Sequence, residues 1–222
     1  MSPADLAAPL GLVSVVILGG LAPLLALPLA TALWGEVPGR VLRPAVEMAE
    51  DLAAILARFA QVCLVVLALG MLGTVLLRYV FGESFTKLNE AVMYAHALGF
   101  LMAGPAALVA NAHVRVDALY ERFSPRTRAW VDVIGFTVLL TPVMLLLLIY
   151  SGPVVNLAWR IVERSNETDG LPLVWLLKTA MPVFAVTMMA GGLAHAGRAA
   201  LRLRGLDGQL HGAPAGDPEA RV

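Results

Sequence analysis

Charged side chains are scarce in this chain, and that scarcity limits what the protein can be. Of its 222 residues, 14% are charged and 59% are hydrophobic, and the mean hydropathy is +0.79. A soluble domain of this length needs a more charged surface. Basic and acidic residues are equal in number, 16 of each, so the chain also lacks the basic excess that nucleic-acid binding requires.

Common catalytic and ligand-binding motifs are missing too. The sequence has no glycine-rich phosphate loop followed by Lys and Ser or Thr, no His-Glu-x-x-His, and no second cysteine to pair with Cys63. The apolar runs contain no cluster of polar residues that could replace the hydration shell of a solute, and no inverted repeat is visible. We therefore expect this chain to be no enzyme, to bind no cofactor or metal, and to act as no autonomous pump.

Five apolar runs are each long enough to cross a bilayer, which takes about 20 residues. They predict an all-α integral membrane protein with about five transmembrane helices and short interfacial amphipathic helices. The first run is too long for a signal peptide, and its leader has no Lys or Arg, so we expect it to be retained rather than cleaved. The runs are Leu10 to Leu33, Phe59 to Leu77, Ala91 to Ala110, Val133 to Val154 and Leu173 to Ala194.

Basic residues are unevenly divided between the two sets of loops. Eleven arginines lie between the first and second runs, between the third and fourth, and after the fifth, whereas the opposite set of segments holds four Lys or Arg. Because Lys and Arg accumulate on the cytoplasmic side, this predicts a periplasmic N-terminus and a cytoplasmic C-terminus.

The segments outside the runs have patterns of their own. Residues 35–58 are predicted to form a cytoplasmic amphipathic helix on the membrane surface that leads straight into the second run. The stretch Val114 to Phe123 has a similar pattern, and Ser124-Pro125 is expected to cap the next helix. Residues 205–222 are predicted to be a disordered cytoplasmic tail. The apolar face of the first amphipathic segment comprises Val46, Ala49, Leu52, Ala53, Leu56 and Phe59.

Two ionisable residues lie more than a turn inside the runs. For Lys178 we favour a side chain that reaches the outer membrane surface over a buried ion pair. For His96 we favour a hydrogen bond to a neighbouring helix over a proton relay or a haem ligand. The predicted orientation places His96 near the outer face and His195 near the inner face, which argues against one haem held by both.

Small residues and prolines mark the third to fifth runs. A stripe at intervals of four residues predicts close approach of another helix to the third run. Prolines in the third, fourth and fifth runs each remove a backbone hydrogen bond and are expected to bend their helices. The stripe consists of Ala91, Ala95, Gly99, Ala103 and Ala107, and the prolines are Pro105, Pro142 and Pro182.

A succession of short motifs resembles the small permease subunit of tripartite ATP-independent periplasmic (TRAP) transporters, the DctQ-like family. The resemblance runs from about Phe59 to Ala200, and the final loop, from Glu163 to Pro172, also resembles that family. The motifs are Arg78-Tyr79-Val80-Phe81-Gly82, Asn89-Glu90, His113-Val114-Arg115-Val116-Asp117 and Ser124-Pro125-Arg126-Thr127-Arg128.

This resemblance implies a four-helix core, residues 59–204, to which residues 1–34 add an N-terminal transmembrane helix. It also implies a bacterial inner-membrane complex. A large permease subunit is expected to bind the solute, an organic acid, together with sodium, and to move like an elevator. A periplasmic binding protein would deliver the solute. The small subunit would brace the static scaffold of the large one.

The matching residues are candidates for a subunit or lipid interface. Arg78 and Tyr79 would anchor the outer end of their helix or contact partners, and Glu90 would complement a helix dipole. Arg115 and Asp117 would tie their loop to a neighbouring helix or to lipid phosphates. The full candidate set is Arg78, Tyr79, Glu90, Ala95, Gly99, Ala103, His113, Arg115, Asp117 and Lys178.

Two alternative functions stay open from the sequence. His96, His195 and several membrane helices would also suit a haem-binding or quinone-binding anchor of a redox complex. A small self-sufficient transporter or channel is the other alternative.

Overall fold

The computed structural model describes residues 24–112 and 122–206. Every regular element in these two ranges is helical, which confirms the all-α prediction. The helices, in chain order, are α1 (Leu24–Trp34), α2 (Glu36–Val80), α3 (Thr86–Val109), α4 (Pro125–Ile134), a π-helical segment (Gly135–Leu140), α5 (Thr141–Arg160) and α6 (Val174–Leu203).

Four helices are long and apolar enough to span a membrane. They are α2, α3, the continuous helix formed by α4, the π-helical segment and α5, and α6. They correspond to the second to fifth apolar runs. The first run, Leu10 to Leu33, lies mostly outside the described residues, and α1 covers its end as a shorter apolar helix. The described chain therefore contains the four predicted core spans.

Helix α2 joins two segments that the sequence suggested were different in kind. The predicted interfacial helix and the second span form one helix of 45 residues. Its apolar stripe is buried only in part: Val46 is 0% exposed and faces Gly197 of α6, whereas Leu52 and Phe59 are 37% and 45% exposed. Helix α6 therefore covers part of this stripe, and the location of residues 35–58 on the membrane surface stays a prediction.

Helix α6 is the centre of the bundle and packs against α2, α3, α4 and α5. Its second half is rich in alanine and glycine, and these small side chains allow close approach of the neighbouring helices. A Cβ atom added to Gly191 would lie 2.8 Å from the backbone oxygen of Pro105, and one added to Gly197 would lie 2.4 Å from Val46. The small residues of α6 therefore determine how tightly the bundle closes.

Pro105, Pro142 and Pro182 differ in their effect on the helices. Pro142 lies in the first turn of α5, directly after the π-helical segment Gly135–Leu140. Because proline has no N–H, it cannot bond to the carbonyl four residues earlier, and the wider π turn lies where that bond is missing. Helices α3 and α6 continue through Pro105 and Pro182 without such an interruption.

The helix ends follow the predicted turn chemistry. The hydroxyl of Ser124 accepts a hydrogen bond from the Thr127 N–H at 3.2 Å, with Pro125 at the first helical position. At the end of α2, Gly82 has a φ of 74°, a value that favours glycine. The stretch 113–121 and the tail from residue 207 onward lie outside the described residues, as do the predictions made for them.

Candidate functional site

One end of the bundle is closed by the loop between α5 and α6, which folds back onto the start of α3. Glu90 accepts a hydrogen bond from the Leu171 N–H at 2.6 Å and another from the Ser165 hydroxyl. A carboxylate that accepts from a backbone amide makes a stronger bond than a neutral acceptor does. Glu90 therefore does more than complement a helix dipole, because it fixes the loop that follows α5.

Two ion pairs strengthen this end. The Nζ atom of Lys178 in α6 lies 2.6 Å from both carboxylate oxygens of Glu163, and Lys87 of α3 lies 2.6 Å from Asp169. The Lys178 and Glu163 side chains are 33% and 28% exposed, whereas those of Lys87 and Asp169 are 57% and 66% exposed. The sequence interpretation of Lys178 as a snorkelling residue is corrected, since the α5–α6 loop brings a carboxylate to it.

Two tryptophans complete the closed end, which we call the loop cap. Trp159 and Trp175 stack edge to face with ring centroids 4.5 Å apart. The Trp159 indole donates to the Thr179 hydroxyl at 2.8 Å, and the Trp175 indole donates to the Pro172 carbonyl at 3.0 Å. Trp favours the boundary between lipid and water because its ring is apolar and its N–H needs an acceptor. The loop cap consists of Lys87, Glu90, Trp159, Glu163, Ser165, Asp169, Leu171, Trp175 and Lys178.

The opposite end of the bundle is held by arginines of α6. Arg198 forms a two-bond pair with Glu50 of α2, with Nη2 donating to Oε2 at 2.6 Å. Arg204 donates to the Ala32 carbonyl at 2.7 and 3.0 Å and also to the Leu33 carbonyl. The last carbonyls of a helix have no partner within it. Arg204 therefore caps α1 and ties it to α6.

His195 and Asp132 border a cavity of about 200 Å³ between α3, α4 and α6. Nε2 of His195 lies 3.5 Å from Oδ2 of Asp132. The cavity also reaches Leu108 of α3, which lies 12 residues after His96, or about 18 Å along the helix. The structure thus keeps the two histidines apart and gives His195 a partner on α4.

The small-residue stripe of α3 packs against α2. Ala95 and Gly99 are buried, and a Cβ atom added to Gly99 would lie 3.0 Å from the Cβ of Cys63. The predicted close approach of a helix is therefore confirmed, and the helix belongs to the same chain. Ala103 is half-buried. A contact of these residues with another chain stays a prediction. Because Ala95 and Gly99 are buried within this chain, little of their surface is left for such a contact.

The remaining candidates lie at helix ends or outside the described ranges. Arg78 and Tyr79 are exposed in the last turn of α2, where Tyr79 is 81% exposed. This position suits the anchoring or partner contact that was predicted for them. His113, Arg115 and Asp117 lie outside the described residues.

His96 lies on the outer surface of the described helices. It is exposed and lies about halfway along α3, in one stripe with Met93 and Phe100, which are 53% and 74% exposed. No helix of the described residues covers it. The hydrogen bond from His96 to a neighbouring helix stays a prediction.

Residues 67–202 match the sequence model of a family described as "Tripartite ATP-independent periplasmic transporters, DctQ component". This stretch is more than half of the chain. The chain belongs to the DctQ family. No curated protein and no solved structure matches it.

Membership of the DctQ family gives the chain a class and a location. It is the small membrane subunit of a TRAP transporter and a multi-pass protein of the bacterial inner membrane, and the family is not an enzyme family. The match includes the entire loop cap. It leaves out α1 and the first part of α2, so the pair of Glu50 and Arg198 joins a residue outside the family match to one inside it.

Several polar partners in this DctQ-family chain were not predicted as pairs. Glu163 and Ser165 lie in the loop that resembles the family, and Glu50 lies in the segment that was predicted to be amphipathic. The available signal was their position, since each is a polar residue in a segment between two apolar runs. Sequence alone does not indicate which ends meet, because this depends on how the helices are arranged.

Proposed function

We propose that this chain is the small subunit of a sodium-coupled importer of an organic acid and that it braces the static scaffold of the large permease subunit. In this proposal the large subunit binds the solute and sodium, and a periplasmic binding protein delivers the solute. The family match carries the proposal. The proposed orientation has the N-terminus in the periplasm and the C-terminus in the cytoplasm, as the loop arginines predict, so the loop cap faces the periplasm.

The distribution of polar groups supports a bracing role. Two partly buried ion pairs lie toward opposite ends of the bundle, Lys178 with Glu163 and Arg198 with Glu50. Such pairs hold helices and loops in fixed positions. A transport pathway for an organic acid needs polar groups that converge at mid-membrane, and the described helices meet through apolar and small side chains.

The exposed stripe of α3 is the surface that we assign to the large subunit. Polar side chains within the membrane normally face protein or water rather than lipid. His96 lies five residues after Ala91, where the third apolar run begins, or about 8 Å inside the hydrocarbon core. Met93 and Phe100 extend the surface on both sides. A partner helix with a hydrogen-bonding group opposite His96 would remove the unfavourable exposure of the imidazole to lipid.

Co-expression with the large permease subunit tests the proposal. We expect the tagged chain to co-purify with that subunit and, with a photo-crosslinking amino acid at position 96, to form a covalent adduct with it. The same amino acid at Tyr150 is the control, because that residue is exposed on a different helix. Co-purification with equal crosslinking at both positions would reject the assignment of the His96 surface to the large subunit. It would not reject the proposed function.

Two results would reject the function itself. One is the absence of any complex with the large subunit when both chains are present in the membrane. The other is solute flux in liposomes that contain only this chain, which would make it a self-sufficient transporter. A haem absorption spectrum of the purified chain would support the redox-anchor alternative instead.

A further inference from the structure

A second cavity, of about 160 Å³, lies where three helices end or begin. It is lined by Ala32 and Leu33 from the end of α1, by Arg126 and Trp130 from the start of α4, and by Leu203 and Arg204 from the end of α6. Because α1, α4 and α6 all have termini here, the cavity lies at one end of the bundle.

The described residues that line this cavity carry positive charge and no carboxylate. Arg126 and Arg204 contribute two guanidinium groups. The bonds from Arg204 to the carbonyls of α1 use Nε and Nη2, so the hydrogens of Nη1 are left as donors. Arginine binds phosphate through two parallel N–H bonds and stays charged at any physiological pH.

Arg126 and Trp130 lie on the same face of α4. The Ser124 cap and Pro125 set the start of the helix, so Arg126 occupies the second helical position. Trp130 follows four residues later, on the same face. Trp is favoured at the membrane interface, where its ring contacts lipid and its N–H reaches polar groups.

The surface beside the cavity is apolar. Leu33 and Trp34 are 49% and 75% exposed, and Leu203 forms part of the lining. A free phosphate ion would make no use of such a surface. A phospholipid would use both parts, with its phosphate on the arginines and its acyl chains along the apolar helix ends.

We infer that this cavity binds the phosphate of an anionic phospholipid headgroup, at a site separate from the His96 surface. The bound lipid bridges α4 to the joined ends of α1 and α6. Basic pockets between transmembrane helices are a common form of headgroup site. The site depends on neither the large subunit nor the orientation of the chain.

Native mass spectrometry of the full-length purified chain tests the inference. Phosphatidylglycerol is the anionic probe and phosphatidylcholine with the same acyl chains is the zwitterionic control. We expect tighter binding of phosphatidylglycerol and a weakening of about fivefold in Arg126→Gln, the effect of one basic residue near a lipid surface. Arg202→Gln removes the same charge from α6 outside the cavity lining and is expected to bind as the unaltered chain does.

Three outcomes would overturn the inference. They are equal binding of the two lipids, equal weakening by Arg126→Gln and Arg202→Gln, and displacement of phosphatidylglycerol by millimolar inorganic phosphate, which would indicate a site for free phosphate. If Arg126→Gln does not fold, the test is the quenching of tryptophan fluorescence by brominated phosphatidylglycerol. Trp130→Phe should remove a large share of that quenching, and unchanged quenching would contradict the site.

Discussion

Lys178 of α6 places its Nζ 2.6 Å from both carboxylate oxygens of Glu163, in the loop that precedes the helix. Each side chain is about one-third exposed or less, at 33% and 28%. Each charge therefore loses part of its hydration, and the opposite charge of its partner offsets that loss. The pair holds the α5–α6 loop against the helix that the loop leads into.

Replacing this lysine is the first test. We expect Lys178→Met to lower the free energy of unfolding by about 2 kcal/mol, between the values for exposed and buried pairs, because it leaves Glu163 partly buried and without its counter-charge. Lys87→Met breaks the exposed pair with Asp169 and is the matched control, with a loss under about 1 kcal/mol. Reversible unfolding in mixed detergent micelles measures both. Equal losses would mean that burial does not set the strength of these pairs.

The Glu90 carboxylate gives a second test, at a single amide. Glu90→Ala removes the acceptor of the Leu171 N–H, and we expect hydrogen exchange at that amide to accelerate at least about tenfold, since a hydrogen bond to a charged group contributes about 1.5–3 kcal/mol. Exchange measured by mass spectrometry on peptides of the α5–α6 loop reports the change. Glu83→Ala, an exposed acid in the α2–α3 loop, is the control. Unchanged protection of Leu171 in Glu90→Ala would show that other contacts hold the loop.

The contact between α2 and α6 gives a third test. In Gly197→Ala the new Cβ would lie 2.4 Å from Val46, and we expect a loss of about 1–3 kcal/mol from overpacking. Gly73→Ala is the control, because no atom lies within 4 Å of a Cβ at that position. Adding Val46→Ala to Gly197→Ala should recover part of the loss. A double variant no more stable than Gly197→Ala would disprove direct contact between these two positions.

The orientation of the chain can be tested with reporter fusions. Alkaline phosphatase is active only in the periplasm, so we expect a fusion after Ala215 to be inactive and a fusion within the α5–α6 loop, after Asp169, to be active. A cytoplasmic reporter, green fluorescent protein, should give the opposite pattern. An active phosphatase after Ala215 would invert the proposed topology, and the loop cap would then face the cytoplasm.

The sequence predicted the positions of the four core spans, but not which helices and side chains meet. The four core helices follow from the lengths of the apolar runs, and the cap at Ser124 follows from its local turn chemistry. The stripe through Ala95 and Gly99 predicted a close helix without naming it as α2. The ion pair of Lys178 and the contact of α2 with α6 were not predicted, because each depends on which helix or loop lies next to it.

Membership of a membrane-embedded, all-α family was determined by the sequence itself, since hydrophobicity, helix caps and short motifs are properties of neighbouring residues. Tertiary structure alone decided that Glu50 meets Arg198, 148 positions away, that α6 covers Val46, and that the described helices leave His96 exposed. The physical reason is that burial and ion pairing depend on the arrangement of whole helices, in which residues far apart in the chain become neighbours.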